Sequence, residues 1–102
     1  MYETIPVQHL DRWLEQGYEG RIIDLRSPSS YCQSHLCGAE NYPFDELMEH
    51  PELLDNSRPL LFYCARGSES LLACNLFYRK GYQVVNVANG LRFYRGKYLT
   101  DQ

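Results

Sequence analysis

The sequence predicts an α/β domain on a mainly parallel central sheet flanked by helices, and three observations carry that expectation. Short runs rich in Val, Ile, Leu and Phe alternate with stretches whose apolar residues recur at helical spacing. Glycine closes the helical stretches, at Gly17 and Gly81. The apolar run Leu60–Tyr63 passes straight into "CARGSES", so a cysteine stands where a buried strand hands over to a helix.

Taken in order, Thr4–Val7 reads as a short strand. A helix follows around His9–Gln16, with Leu10, Trp13 and Leu14 on one side and Gly17 as its stop. In "RIIDLRSP", Ile22, Ile23 and Leu25 make a strand, and Ser27-Pro28 opens a short helix with proline in its first turn. Ala39–Tyr42 is a brief strand. "FDELMEH" is a short helix carrying Phe44, Leu47 and Met48, and Asp55–Pro59 is a turn-rich connection to the strand at Leu60–Tyr63. The helix at Ser68–Lys80 places Leu72, Ala73, Leu76 and Phe77 on its inner face, with Arg79 and Lys80 in the last turn where cations suit the dipole. "VVNVA" is the last strand, and Asn89-Gly90 turns the chain into "LRFYRGKYL".

The 102 residues suit one domain, 1–102, with a single core, and the 44% hydrophobic content is that of a globular chain. No apolar run approaches the ~20 residues of a membrane span. The start "MYETIPVQHL" has no basic segment followed by an apolar one, so a cytoplasmic location without membrane contact is expected. Cys32, Cys37, Cys64 and Cys74 are too few and too irregular for a disulfide framework. Cys32, His35 and Cys37 lie close together, but no fourth ligand stands at finger spacing, so no metal is expected. The net charge of −3 disfavours nucleic acid. Residues 1–55 hold eleven acids and three bases, whereas residues 56–102 hold two acids and seven bases. Cys64 lies in the basic half. These charges either interleave on folding or form a positive rim that attracts anions.

A cysteine at a strand-to-helix hinge has a physical use. The peptide N–H groups of residues 65–70 can curl inward, and the positive end of the following helix adds to them. Gly67 supplies the backbone freedom this curl needs. A thiol inside such a ring meets a field that favours the thiolate, which is the nucleophile. Cys74, by contrast, reads as a core thiol on the helix.

These residues also carry a resemblance that spans nearly the whole chain. "IIDLRSPSSYCQSHLCGAENYP" resembles the Asp-x-Arg strand, short helix and Gly-His-Ile-x-Gly-Ala-x-Asn segment of rhodanese-homology domains. His35, Gly38, Ala39 and Asn41 fit, while Ser34 replaces the usual glycine and Cys37 a common proline. "YCARGSES" is similar to the family's active-site loop, with Cys64 as nucleophile. "LLACNLFYRKGYQVVNVANGLRFY" resembles its following helix, last strand and closing turn, with Phe93 or Tyr94 where tryptophan is common. The resemblance implies a rhodanese-like three-layer domain and a sulfurtransferase. Cys64 would take sulfane sulfur from a small anionic donor such as thiosulfate, become a persulfide, and pass the sulfur to cyanide or a thiol. The amides of Ala65, Arg66, Gly67, Ser68, Glu69 and Ser70 would line the substrate site. Arg66 would pair with donor oxygens or steady the persulfide, the Ser68 and Ser70 hydroxyls would donate hydrogen bonds, and Asp24 and Arg26 would brace the sheet and loop. No cofactor is implied beyond the transient persulfide.

Glu69 departs from the arginine, threonine or serine common at its place. A carboxylate ~6 Å from a thiolate costs about 1–3 kcal/mol at an effective dielectric of ~20–40, so Glu69 is expected to narrow donor choice. Two rivals follow. Dual-specificity phosphatases share the fold but need arginine where this chain has Ser70. A persulfide carrier or regulatory protein-binding domain, serving a sulfur-relay partner, would use the same loop with little thiosulfate turnover.

Overall fold

Leu60, Leu61, Phe62 and Tyr63 are all buried, and a strand with no polar face must be covered from both sides. The computed structural model describes residues 1–102 and meets that demand. In chain order it contains β1 (Glu3–Pro6), a 3-10 turn (Val7–His9), α1 (Leu10–Glu15), β2 (Arg21–Asp24), α2 (Pro28–Gln33), β3 (His35–Leu36) and β4 (Ala39–Asn41). There follow α3 (Phe44–Glu49), a second 3-10 turn (Pro51–Leu53), β5 (Leu60–Tyr63), α4 (Ser68–Arg79), β6 (Val84–Ala88), a third 3-10 turn (Leu91–Phe93) and β7 (Leu99–Thr100).

Five strands form one sheet in the order β1-β6-β5-β2-β4, and every pairing in it is parallel. β5 lies at its centre, with Phe62 between Ile23 of β2 and Asn86 of β6. Its alternate residues feed two cores. Leu61 and Tyr63 join Ile5, Leu10 and Val87 on one face; Leu60, Phe62 and Cys64 join Ala73, Cys74 and Phe77 of α4 on the other. Layers of helix and turn therefore cover both faces, as expected for the α/β class. No helix is long and apolar enough to cross a membrane.

Most strands and helices lie where the apolar spacing puts them, and the differences have local causes. The first strand stops at Pro6, whose φ of −64° leads into the 3-10 turn, so Val7 enters the core from a turn and the helix starts at Leu10. The third predicted strand ends at Asn41, though the Tyr42 N–H still donates to the Asp24 carbonyl at 2.9 Å. The larger correction concerns α4. Leu72, expected on the inner face, is 55% exposed, and the buried set is Ser70, Ala73, Cys74 and Phe77. These recur at i, i+3, i+4 and i+7, as a helical face should. Three of the four are small, which lets the helix start sit close against the end of β5. A two-stranded antiparallel ribbon of β3 and β7 was absent from the sequence expectation; two residues per strand is too short to leave a pattern.

One polar atom inside the sheet lacks a partner. Asn86 is 3% exposed, and its Oδ1 accepts no hydrogen bond. A buried unsatisfied acceptor carries its full desolvation penalty. Asn86→Val, a β-branched residue of similar volume on the same strand, is expected to raise unfolding stability by about 1 kcal/mol, read from the urea midpoint at unchanged slope.

Candidate active site

A peptide group has a donor edge and an acceptor edge, so a loop can offer its N–H groups to a site only if its carbonyls bond elsewhere. Two carbonyls after β5 do so. The Leu91 N–H donates to the Cys64 carbonyl at 2.9 Å, and the Arg92 N–H donates to the Ala65 carbonyl at 3.2 Å. Both acceptors are thereby drawn toward the 3-10 turn after β6. Gly67 then takes φ of 107°, and the chain folds back over the cysteine. The N–H groups of Gly67 and Ser70 converge on Cys64 Sγ at 3.1 and 3.2 Å.

The two loops interlock through their backbones. A Cβ on Gly67 would lie 2.8 Å from the Asn89 nitrogen, and one on Gly90 would lie 2.2 Å from the Ala65 oxygen. Gly90 also adopts φ 78° and ψ 166°, a region open essentially to glycine alone. The Asn89-Gly90 turn is thus the outer wall of the cysteine loop, a role its sequence signalled only as a turn.

Cys64 is 1% exposed and sits at the floor of a pocket of about 230 Å³ lined by Ala65, Arg66, Ser68 and Glu69. The N–H groups of Arg66, Ser68 and Glu69 have no acceptor within the protein. Arg66 is exposed and makes neither an ion pair nor a side-chain hydrogen bond. Ser68 is exposed at the start of α4, and Glu69 is half-buried in its first turn. Ser70 corrects one expectation. Its N–H faces the sulfur, but its buried hydroxyl lies 3.2 Å from the Gly67 carbonyl and 3.4 Å from the Val87 carbonyl, and donates there rather than toward the pocket.

Asp24 and Arg26 stand one strand away and do not enter the pocket. The buried Asp24 carboxylate accepts from the Arg26 guanidinium at 2.7 Å, from the Arg26 N–H at 2.9 Å and from the Tyr63 hydroxyl at 2.5 Å. Arg26 also donates to the Ser34 carbonyl at 2.6 Å, and the Tyr63 oxygen accepts from the Leu36 N–H at 3.1 Å. Tyr63 precedes Cys64, so this network pins the end of β5. Burial, with Asp24 alongside, pushes the Tyr63 phenol far up and keeps it a donor to the carboxylate. Sequence reasoning missed Tyr63 because a tyrosine in an apolar run reads as packing.

His35 is buried, stacks on Tyr31 at 3.7 Å and bonds the Tyr31 carbonyl through Nδ1 at 2.7 Å. Cys32 and Cys37 are exposed, and no group of three His, Cys, Asp or Glu residues is arranged to hold a metal. Cys74 packs in the same core as Cys64, where burial pushes its thiol up to about 12 and keeps it protonated.

The family model of the rhodanese-like domain matches residues 7–97. The chain belongs to that family. It is 28% identical over 99% of its length to a protein of Coxiella burnetii named thiosulfate sulfurtransferase GlpE, of which the match covers 94%. It is 31% identical over 87% of its length to thiosulfate sulfurtransferase PspE of Escherichia coli, of which the match covers 79%. Among solved structures, the rhodanese-like domain of an Anabaena protein superposes with a TM-score of 0.81 at 26% identity, covering all of this chain and 81% of that one. In this rhodanese-like domain the position six residues after Cys64, where a phosphatase would need arginine, holds Ser70 and supplies an N–H to the sulfur. Of the two aromatics offered for the place of the common tryptophan, Tyr94 is buried and Phe93 is exposed.

Two outcomes follow for the rhodanese-like loop. Gly90→Ala forces the Ala65 peptide to move, so Cys64 alkylation by iodoacetamide should slow at least tenfold while the protein loses about 2 kcal/mol by urea titration. Asp24→Asn leaves the Arg26 guanidinium, whose side chain is 13% exposed, without its counter-charge. It should cost about 3 kcal/mol of stability, measured the same way.

Proposed function

We propose that this domain is a sulfurtransferase that moves sulfane sulfur through a persulfide on Cys64. The observation that carries the reading is the pair of amides on Cys64 Sγ, from Gly67 and Ser70. N–H donors aimed at a sulfur stabilise it as an anion, first as the attacking thiolate and again as the thiolate that leaves when an acceptor takes the outer sulfur. The free N–H groups of Arg66, Ser68 and Glu69 at the pocket mouth suit an anionic donor, and so does the unpaired Arg66 guanidinium.

With thiosulfate as donor, the Cys64 thiolate attacks the sulfane sulfur. The S–S bond of thiosulfate breaks and its electron pair leaves on sulfite, which gives Cys64–S–S⁻. A thiophilic acceptor, cyanide or a thiol, then takes the outer sulfur and returns the thiolate. Amides that already face the sulfur need no reorganisation in either half of the cycle. The names of the GlpE and PspE relatives support this choice of donor.

Glu69 favours a second reading, a carrier loaded by a partner protein. It lines the pocket beside Cys64, and no cation of the protein neutralises it, so it opposes a doubly charged donor. The test separates the two. Purified protein is incubated with thiosulfate, its intact mass is read for one added sulfur, and thiocyanate is assayed after cyanide is added. Loading and release that vanish in Cys64→Ser are expected. Protein that takes no sulfur from thiosulfate but loads from a persulfide-bearing protein would favour the carrier.

A further inference from the structure

We propose that the acceptor discharging Cys64 is a small zwitterionic aminothiol of the cysteine type, held by Arg66 and Glu69 on opposite charges. The inference rests on the persulfide reading above and concerns which thiol that persulfide serves.

The pocket over Cys64 carries one residue of each sign, Arg66 and Glu69. They are three positions apart and line the same pocket, yet they form no ion pair with each other or with any other residue. The neighbouring charges do not quench them. Arg26 is committed to Asp24 and to the Ser34 carbonyl. The Arg92 guanidinium lies over the Phe93 ring at 4.4 Å. Glu69 also lines a second groove, of about 290 Å³, together with Arg26, Ser27, Phe44 and Asp45. The Glu69 side therefore has a second carboxylate, and its only base is already spent on Asp24.

An acceptor that places its thiol over the Cys64 sulfur would meet a guanidinium on one hand and a carboxylate on the other. A dianionic thiol satisfies only the first, and a neutral thiol satisfies neither. A cysteine-like molecule carries its ammonium and carboxylate on the carbon next to the thiol-bearing one, so both charges fit a pocket of this size. The step balances without another reagent. The acceptor thiol gives its proton to the outer sulfur of Cys64–S–S⁻, the acceptor thiolate attacks that sulfur, the S–S bond breaks, its electron pair returns to Sγ as thiolate, and the proton stays on the acceptor's new S–SH group.

The test uses single-turnover discharge of the loaded protein. Loading is first verified by intact mass, and four thiols are compared: L-cysteine, N-acetylcysteine, cysteine methyl ester and 2-mercaptoethanol. Each rate is corrected for the thiolate fraction of that thiol. Cysteine is expected to be fastest. Blocking its ammonium in N-acetylcysteine, or its carboxylate in the ester, should each slow discharge about three- to tenfold. Glu69→Gln should remove the N-acetyl penalty and keep the ester penalty; Arg66→Gln should do the reverse. Four rates within twofold of one another in the unmodified protein, or penalties that survive both substitutions, would overturn the inference. A protein that never gains sulfur from thiosulfate or from a persulfide-bearing protein would instead overturn the persulfide reading itself.

Discussion

The site depends on where two carbonyls go. If the Cys64 and Ala65 oxygens faced inward, the loop would present acceptors rather than N–H donors to the Cys64 sulfur. Leu91 and Arg92 prevent this by donating to those oxygens from the turn after β6, and the Gly67 and Ser70 amides are left to face Sγ. A local decision at one strand end is therefore enforced by a segment 27 residues further along the sequence. Parallel pairing makes that possible. β5 and β6 run the same way, so both strands deliver their following loops to the same end of the sheet.

The same logic explains why a buried ion pair is tolerated so near. Asp24 and Arg26 lose hydration, but the carboxylate is met by guanidinium, hydroxyl and backbone N–H, and the guanidinium by a carbonyl as well. A pair satisfied this completely holds geometry more than it adds stability. What it holds is Tyr63, the last residue of β5, and through Tyr63 the point from which the cysteine loop departs. β2 and β6 thus grip β5 from either side, one by a side-chain network and the other through the loop that follows it.

The alternation of strands and helices was legible because it is written in residues whose environment is uniform along their length. β5, with four apolar residues and no polar face, admits few other placements. The cysteine's place was legible for a related reason, since a strand end followed by Gly67 and a helix start is a local pattern. What escaped notice depends on partners far away in sequence. The Asn89-Gly90 turn matters because Gly90 touches Ala65, and nothing within the turn announces that. On the inner face of α4, Ala73 and Phe77 are buried and Leu76 packs against the core as expected, but Leu72 is not, for the opposite reason. Leu71 and Leu72 are the most apolar residues of its first turns, yet they are exposed, because close approach to the cysteine requires small residues there. Ser70 marks the true face.

The charge division between the two halves of the chain resolves into neither simple alternative. Arg66 and Arg92 stand at the cysteine loop, but Arg58 donates to the Glu19 carbonyl near the opposite ends of the strands, and Arg79 closes α4 away from the loop. Glu69, one of the two acids of the basic half, lines the same pocket as Arg66, and Asp45 from the acidic half lines the groove that Glu69 shares. The rim is therefore mixed. Such a surface gains little from long-range attraction of anions, which would need one sign to dominate within a Debye length of ~8–10 Å. The proposed selectivity would then rest on short-range fit inside the pocket, where the Gly67 and Ser70 amides face the sulfur. On the proposal above, the opposed charges of Arg66 and Glu69 would discriminate among the molecules that bring or remove sulfur. On that proposal the amides would make the chemistry general, and the two side chains would make it particular.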